Sequence, residues 1–310
     1  MKAFYHEDYY FRLPEGHPFQ MEKFPGGRDI VSRESSSVEI CPSREADDSE
    51  LMAVHSSEYL DKVRRGGWSS VERVRMGLPV DPRLYRRCAL EAGGSILAGR
   101  AALEDGLAAN LGGGTHHASA DRASGYCIFN DVAVAVRSLR RDLPDLWVMV
   151  IDTDAHQGDG THALFSNDRK TFTYSIHVGK NFPAKKFSGD LDVPLDRWVG
   201  GRAYQDAFCR SVERSFLEFE PDLVFWVAGA DIHEDDRFGQ MKLKVEEIRN
   251  RNQFVLDLVR GWNVPLAVVY GGGYNRNVEL TNQLHALPVL QASNDDRSQR
   301  KISPAAGLSQ

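Results

Sequence analysis

With 310 residues and 42% hydrophobic content, the chain can bury one large core, and an α/β fold of this length is commonly a single domain. A net charge of −6 argues against a phosphate-gripping nucleic-acid surface, and no apolar run approaches the roughly 18 residues needed to span a bilayer. The charged N-terminus lacks a signal-peptide core, so a cytoplasmic location is expected. Cys41, Cys88, Cys127 and Cys209 have no Cys-x-x-Cys spacing and indicate neither a zinc finger nor a disulfide framework.

In chain order, the polar, serine-rich stretch from Asp29 to Glu50 reads as a loop shaping the mouth of a site. A helix is predicted over 84–105. Next comes Leu111-Gly-Gly-Gly-Thr-His116-His117, where paired histidines follow three flexible residues. Such a pair can present both rings to one cavity, with a carboxylate behind each to set tautomer and basicity; Asp152 and Asp159 are natural candidates. The alternatives are a surface pair left over from a loop or metal ligation by these histidines themselves. Gly125-Tyr-Cys-Ile-Phe-Asn-Asp131 follows, with a helix predicted over 129–141.

A strand predicted over 147–152 then runs into Asp152-Thr-Asp154-Ala-His156-Gln-Gly-Asp159-Gly. Side chains two apart share a face of an extended strand end, so Asp154 and His156 can converge on one cation with Asp152 behind them. That donor pair suits a zinc-type ion, and Gly158 and Gly160 let the chain turn away. The bland alternative is a polar turn with a helix-capping aspartate. Further strands are predicted over 172–176, 222–229 and 264–270, and helices over 203–219, 242–261 and 279–287. The strand at 222–229 runs into Asp231, the best third ligand. The strand at 264–270 stops at Gly271-Gly272-Gly273-Tyr274, whose phenol can reach over a site as a hydrogen-bond donor. Strands alternating with amphipathic helices imply an α/β fold with a central parallel sheet covered on both faces. From Ala292 the composition turns to Ser, Asn, Asp, Arg, Gln and Pro, so a domain over 1–291 and a disordered tail over 292–310 are expected.

The four runs in this order resemble the histone deacetylase family of zinc-dependent amidohydrolases, which includes bacterial acetoin-utilization proteins and acetylpolyamine deacetylases. The resemblance extends from about residue 15 to residue 287. Val54-His-Ser-Ser-Glu-Tyr-Leu-Asp-Lys is similar to the family's early helical segment. Gly16-His-Pro-Phe19, His156-Gln157 and Asp236-Arg-Phe-Gly239 lean toward its class IV branch. The resemblance implies the single-domain, three-layer arginase/deacetylase fold. It implies zinc on Asp154, His156 and Asp231, with His117 as general base and then acid and His116 as electrostatic partner. Asp152 and Asp159 would buttress the two histidines, and Tyr274 would donate to the oxyanion. It also implies a structural potassium on Asp152, Asp154, His156, Ser175 and Ile176. Gly125, Tyr126, Phe182 and Gly272 would line an acyl-lysine channel.

The chemistry agrees with this. An amide carbonyl is a poor electrophile, so its hydrolysis needs a Lewis acid, an activated water and a proton for the leaving amine. The expected reaction removes acetyl or longer acyl groups from the lysine side chains of a protein or peptide, or from another acylated amine, and the class IV leaning favours long acyl chains. An acetylpolyamine or small-molecule deacetylase using the same centre is the alternative. A non-catalytic acyl-lysine binder keeps a smaller share, because no ligand and no tyrosine is lost. A manganese ureohydrolase needs a second metal, yet Gly158 stands where its pattern wants another aspartate. The negative net charge suggests an acidic rim favouring a cationic substrate. The family's substrate-gripping rim acid has no clear counterpart near Leu78, with Asp81 the nearest acid. Arg64-Arg65, Arg140-Arg141 and Lys185-Lys186 read as solvated faces. His177 reads as a core histidine or a neighbour of the potassium strand, and His233 as lining the pocket or facing solvent.

Overall fold

The computed structural model describes residues 1–294. Its strands are β1 (Lys2–Tyr5), β2 (Glu39–Pro42), β3 (Leu107–Asn110), β4 (Val148–Asp152), β5 (Thr171–Val178), β6 (Leu191–Leu195), β7 (Leu223–Val227) and β8 (Leu266–Val269). They form one sheet in the order β2-β1-β3-β8-β7-β4-β5-β6, parallel at every pairing. The helices are α1 (Lys23–Glu34), α2 (Asp48–Met52), α3 (Ser57–Arg65), α4 (Ser70–Met76), α5 (Leu84–Asp105), α6 (Asp131–Asp142), α7 (Asp159–Phe165), α8 (Gly201–Glu218), α9 (Val245–Gly261) and α10 (Val278–Ser293). They cover both faces of the sheet, which makes the expected three-layer α/β architecture.

The sheet centre follows from composition. β4 (VMVID), β5 (TFTYSIHV), β7 (LVFWV) and β8 (LAVV) are buried throughout, as strands covered on two faces must be. The edge strands β2 and β6 each carry a proline, Pro42 and Pro194. A missing N–H is tolerated at an edge, where it also discourages pairing with another chain.

The predicted strands are β4, β5, β7 and β8, and the helices predicted up to residue 261 are α5, α6, α8 and α9, all within a few residues. Asn130 caps α6 by accepting the Ala133 N–H at 3.0 Å. The last predicted helix, 279–287, runs on to Ser293 although Pro288 lies inside it. Beyond the proline Val289 and Ala292 are buried, and the Gln291 side chain bonds Asn252 and the Arg249 carbonyl. The expected boundary at 291 is therefore passed by the helix, and the rest of the expected tail, 295–310, lies outside the described residues.

The expected loop over 29–50 is a correction. It contains the second half of α1, edge strand β2 and the start of α2, which Asp47 and Glu50 close with a reciprocal capping box. None of its residues lines the mouth or the interior of the site. Arg140 is also not on a solvated face. Its guanidinium is nearly buried and pairs with Asp168 at 2.6 Å.

The topology gathers the motifs. β3, β8, β7 and β4 are consecutive neighbours at the centre of the sheet, and each motif run follows the C-terminal end of one of them. In an open parallel sheet that edge is where loops diverge and leave a crevice.

Candidate active site

Asp154, His156 and Asp231 are buried, and one ligand atom from each lies within 4.8 Å of the others; among the described residues no other such cluster occurs. His156 Nδ1 stands 3.1 Å from Asp154 Oδ1 and 2.8 Å from Asp231 Oδ2. The other carboxylate oxygens are held by main-chain donors. Gly272 N–H donates to Asp154 Oδ2 at 2.6 Å, and Ala155 N–H donates to Asp231 Oδ1 at 2.8 Å. Gly272 has to be glycine, because a Cβ there would fall 2.5 Å from Asp231 Oδ2. Burial, then the neighbouring Asp154, push the Asp231 carboxyl up to about 8. Two buried carboxylates side by side call for a cation between them. Two oxygen donors and one imidazole nitrogen fit a zinc-type ion.

The two adjacent histidines turn to different acids. His116 Nδ1 lies 2.6 Å from Asp152 Oδ2, and His117 Nδ1 lies 2.7 Å from Asp159 Oδ1. Asp159 is the first residue of α7, and its carboxylate serves His117 rather than the helix end. Burial would lower the pKa of His116, but Asp152 and Asp154 outweigh it and raise it to about 9. Burial, and then the charge on His116, push His117 down to about 4 despite Asp159. At neutral pH His116 is therefore cationic and His117 is a free base.

Tyr274 is almost fully buried, and its backbone N–H donates to Asp236 Oδ2 at 2.6 Å. Burial, reinforced by Asp154 and Asp231, holds the phenol well above its usual pKa, so it remains a donor. A mouth cavity of 320 Å³ leads inward between Gly125, Tyr126, Phe182, Phe238 and Tyr274 to His117 and His156. The Phe182 ring meets that of His117 edge-on at 4.8 Å. Gly125 is left-handed (φ 53°), and a Cβ on it would strike the His117 ring at 2.6 Å. The four expected channel residues thus divide. Gly125, Tyr126 and Phe182 line the mouth, whereas Gly272 lies deeper and holds the Asp154 carboxylate.

Asp152 and Ser175 are direct partners in the β4–β5 register, with Ile176 following. His177 is a core histidine whose Nδ1 lies 2.9 Å from Ser175 Oγ. His233 neither lines the pocket nor faces solvent. It is buried, with Nδ1 2.9 Å from Asn275 Oδ1, and so ties the loop after Asp231 to the loop carrying Tyr274.

Behind the metal ligands is a group that motif reading missed. An inner cavity of 30 Å³ is lined by Phe19, Lys23, Phe24, Arg87, Glu91 and Cys127 together with Gly113, Gly114, Gly271 and Gly272. Lys23 Nζ donates to the Gly271 carbonyl at 2.8 Å, across 248 positions of sequence. Burial pushes its pKa down to about 8. Arg87 and Glu91 form a fully buried ion pair at 2.7 Å, one turn apart on α5. That i,i+4 spacing of opposite charges leading into the glycine- and alanine-rich middle of the helix was the available signal. Cys127 is buried, and burial raises its thiol well above the usual range, so it is a packing residue rather than a nucleophile.

A histone deacetylase domain profile matches residues 17–287. An uncharacterized protein of Picosynechococcus sp. is 34% identical over 285 residues, covering 91% of this chain and 95% of its own length. The acetoin utilization protein AcuC of Staphylococcus aureus is 31% identical, covering 86% of this chain and 74% of its own. Histone deacetylase 2 of Arabidopsis thaliana is 30% identical, covering 75% and 62%. Among solved structures, an HDAC homologue complexed with SAHA superposes with a TM-score of 0.81 at 24% identity, covering 94% of this chain and 83% of that one. The architecture is thus the one the motif order implied, the arginase/deacetylase fold.

Proposed function

Because this chain belongs to the histone deacetylase family, we propose that it hydrolyses the acyl amide of a lysine side chain or related amine at a zinc centre, with acetyl as the favoured acyl group. The observation that carries this reading is the convergence of Asp154, His156 and Asp231 beside a base-ready His117 and beneath the Tyr274 phenol. Zinc held there would polarise the acyl carbonyl and lower the pKa of a bound water toward about 7. Asp152, Asp154, His156, Ser175 and Ile176 offer the oxygen-rich surroundings a structural potassium would use.

The chain's own groups supply the rest. His117, neutral and oriented by Asp159, accepts the proton of the attacking water and later delivers it to the departing amine nitrogen. His116, hydrogen-bonded to Asp152, is the electrostatic partner beside the developing oxyanion. Tyr274 donates to that oxyanion. Gly125, Tyr126 and Phe182 exclude water from the substrate's alkyl chain.

The size of the inner cavity selects the acyl group. At 30 Å³ it holds one or two waters, or a methyl group, and not an eight-carbon chain. A panel of lysine peptides carrying acetyl, octanoyl and myristoyl groups, assayed with zinc-loaded protein and with Tyr274→Phe, tests the reading. Acetyl turnover that disappears in the variant supports it. Preference for myristoyl would overturn the acetyl assignment, and no turnover of any peptide or of acetylspermidine would overturn the deacylase reading.

A further inference from the structure

The mouth of the site has the opposite sign from the chain as a whole. Against a net charge of −6, no carboxylate among the described residues lines the 320 Å³ entrance, and its charged groups outside the two histidines are Arg75 and Arg237. The two arginines sit on different lips. Arg75, in α4, donates from Nε to the Ala123 carbonyl at 3.1 Å, just before the Gly125-Tyr126 turn. Arg237 donates from Nε to the Tyr274 carbonyl at 3.0 Å and from Nη2 to the Pro18 carbonyl at 2.7 Å. These bonds fix both guanidinium planes and leave the terminal nitrogens of Arg75 and Nη1 of Arg237 available.

Four acids close in sequence to these segments are engaged elsewhere. Glu72 pairs with Lys62 at 2.7 Å, Asp81 with Arg83 at 2.7 Å, and Asp235 with Arg276 at 3.0 Å. Asp236 accepts the backbone N–H groups of Phe238, Gly239 and Tyr274. Among the described residues neither rim arginine has a carboxylate partner. The acidic rim suggested by net charge is therefore absent, and Asp81 does not replace it.

Anchored, unneutralised guanidiniums suit a planar anion that accepts two hydrogen bonds. We infer that the amine portion of the substrate bears a carboxylate, received at the mouth by Arg75 and Arg237 while the acyl group lies at the metal centre. This rests on the deacylase reading and narrows its substrate to acylated amino acids or chains ending in acyl-lysine, as opposed to polyamines. Val74, 84% exposed beside Arg75 on the same lip, provides an apolar shelf for the carbon atoms next to that carboxylate.

The test compares kcat/KM on zinc-loaded protein for matched probes: α-N-blocked Nε-acetyl-lysine as free acid and as carboxamide, a peptide ending in acetyl-lysine as acid and as amide, and acetylspermidine. The acids should exceed their amides by about tenfold, the size of a charged hydrogen-bonded contact. The ratio should shrink in Arg75→Gln and at high salt, and Arg75→Glu should shift preference toward acetylspermidine. Arg237→Gln is read separately, because Arg237 also holds the Tyr274 backbone, and the melting temperature of each variant checks folding. A larger acid preference for the single amino acid than for the peptide assigns a free metabolite, and the reverse assigns a protein C-terminus. Acid and amide turned over within about twofold of each other would overturn the inference alone. So would wild-type preference for acetylspermidine. No turnover of any probe would overturn both this inference and the deacylase reading beneath it.

Discussion

His116 and His117 stand with ring centroids 4.1 Å apart, yet one is held as a cation and the other as a free base. The difference lies in what each ring faces. Nε2 of His116 looks toward Asp154 at 3.9 Å while its Nδ1 engages Asp152, so two buried carboxylates retain its proton. His117 has Asp159 alone and feels the charge on its neighbour. One dipeptide thus supplies both a fixed positive charge and a base.

Replacing Tyr274 by Phe removes the phenol that lines the same cavity as His117 and His156 and little packing, because the ring contacts with Phe238 and Tyr126 survive. The expected loss in kcat is roughly a hundred- to a thousandfold. Zinc content and melting temperature should match wild type. A variant retaining most of its kcat would remove Tyr274 from the chemistry.

Chelation should cost stability as well as activity. Without a cation, Asp154 and Asp231 face each other across His156, and burial leaves that charge unscreened. A strong chelator should lower the melting temperature and abolish turnover, and added zinc should restore both. An unchanged melting curve with metal content shown to be zero would contradict a resident ion.

His55 should make folding sensitive to acid at a distance from the metal. Its Nε2 accepts the Asn130 N–H at 3.0 Å and its Nδ1 donates to the Ser119 carbonyl at 3.1 Å, so the ring is neutral in the fold. Burial pushes its pKa down to about 4. An unfolded histidine binds a proton near 6.5, so this contribution is complete above that pH and is lost as pH falls toward 4. The loss amounts to roughly 3 kcal/mol. Urea midpoints at pH 7, 5.5 and 4 check this, since the stability gap between wild type and His55→Gln should narrow with acid. A constant gap would refute it.

Lys23→Met should weaken the inner wall. It strands the Gly271 carbonyl next to the residue whose N–H holds Asp154. One orphaned buried acceptor costs about 1–3 kcal/mol. A lowered urea midpoint together with slower acetyl turnover is expected. Normal values for both would show that the carbonyl finds another partner.

The cluster of Asp154, His156 and Asp231, the histidine pair and the tyrosine were legible as candidates because each lies in a short run just after an apolar strand. The central strands and the long helices were legible because their periodicity is local. The edge strands β2 and β6, the strand β1 beside β2 and the short, alanine-rich β3 were not, because they carry too little apolar pattern and their pairing partners are remote.

By itself the sequence determined the family and which side chains follow the strand ends. Asp154 and His156 are two positions apart, and they converge in the bend after β4, where the His156 N–H donates to Asp154 Oδ1 at 2.9 Å. Only the tertiary structure decided what enters the site and how each group is charged. Lys23 reaches Gly271, Arg237 reaches Pro18 and Tyr274, and Arg75 meets the loop at Ala123, all across long separations. Net charge suggested an acidic entrance, but charge is summed over the whole chain, whereas a rim is made by the few side chains that folding brings to one edge. The same holds for the two histidines, identical and adjacent in sequence, whose protonation states differ because folding brings them different carboxylates.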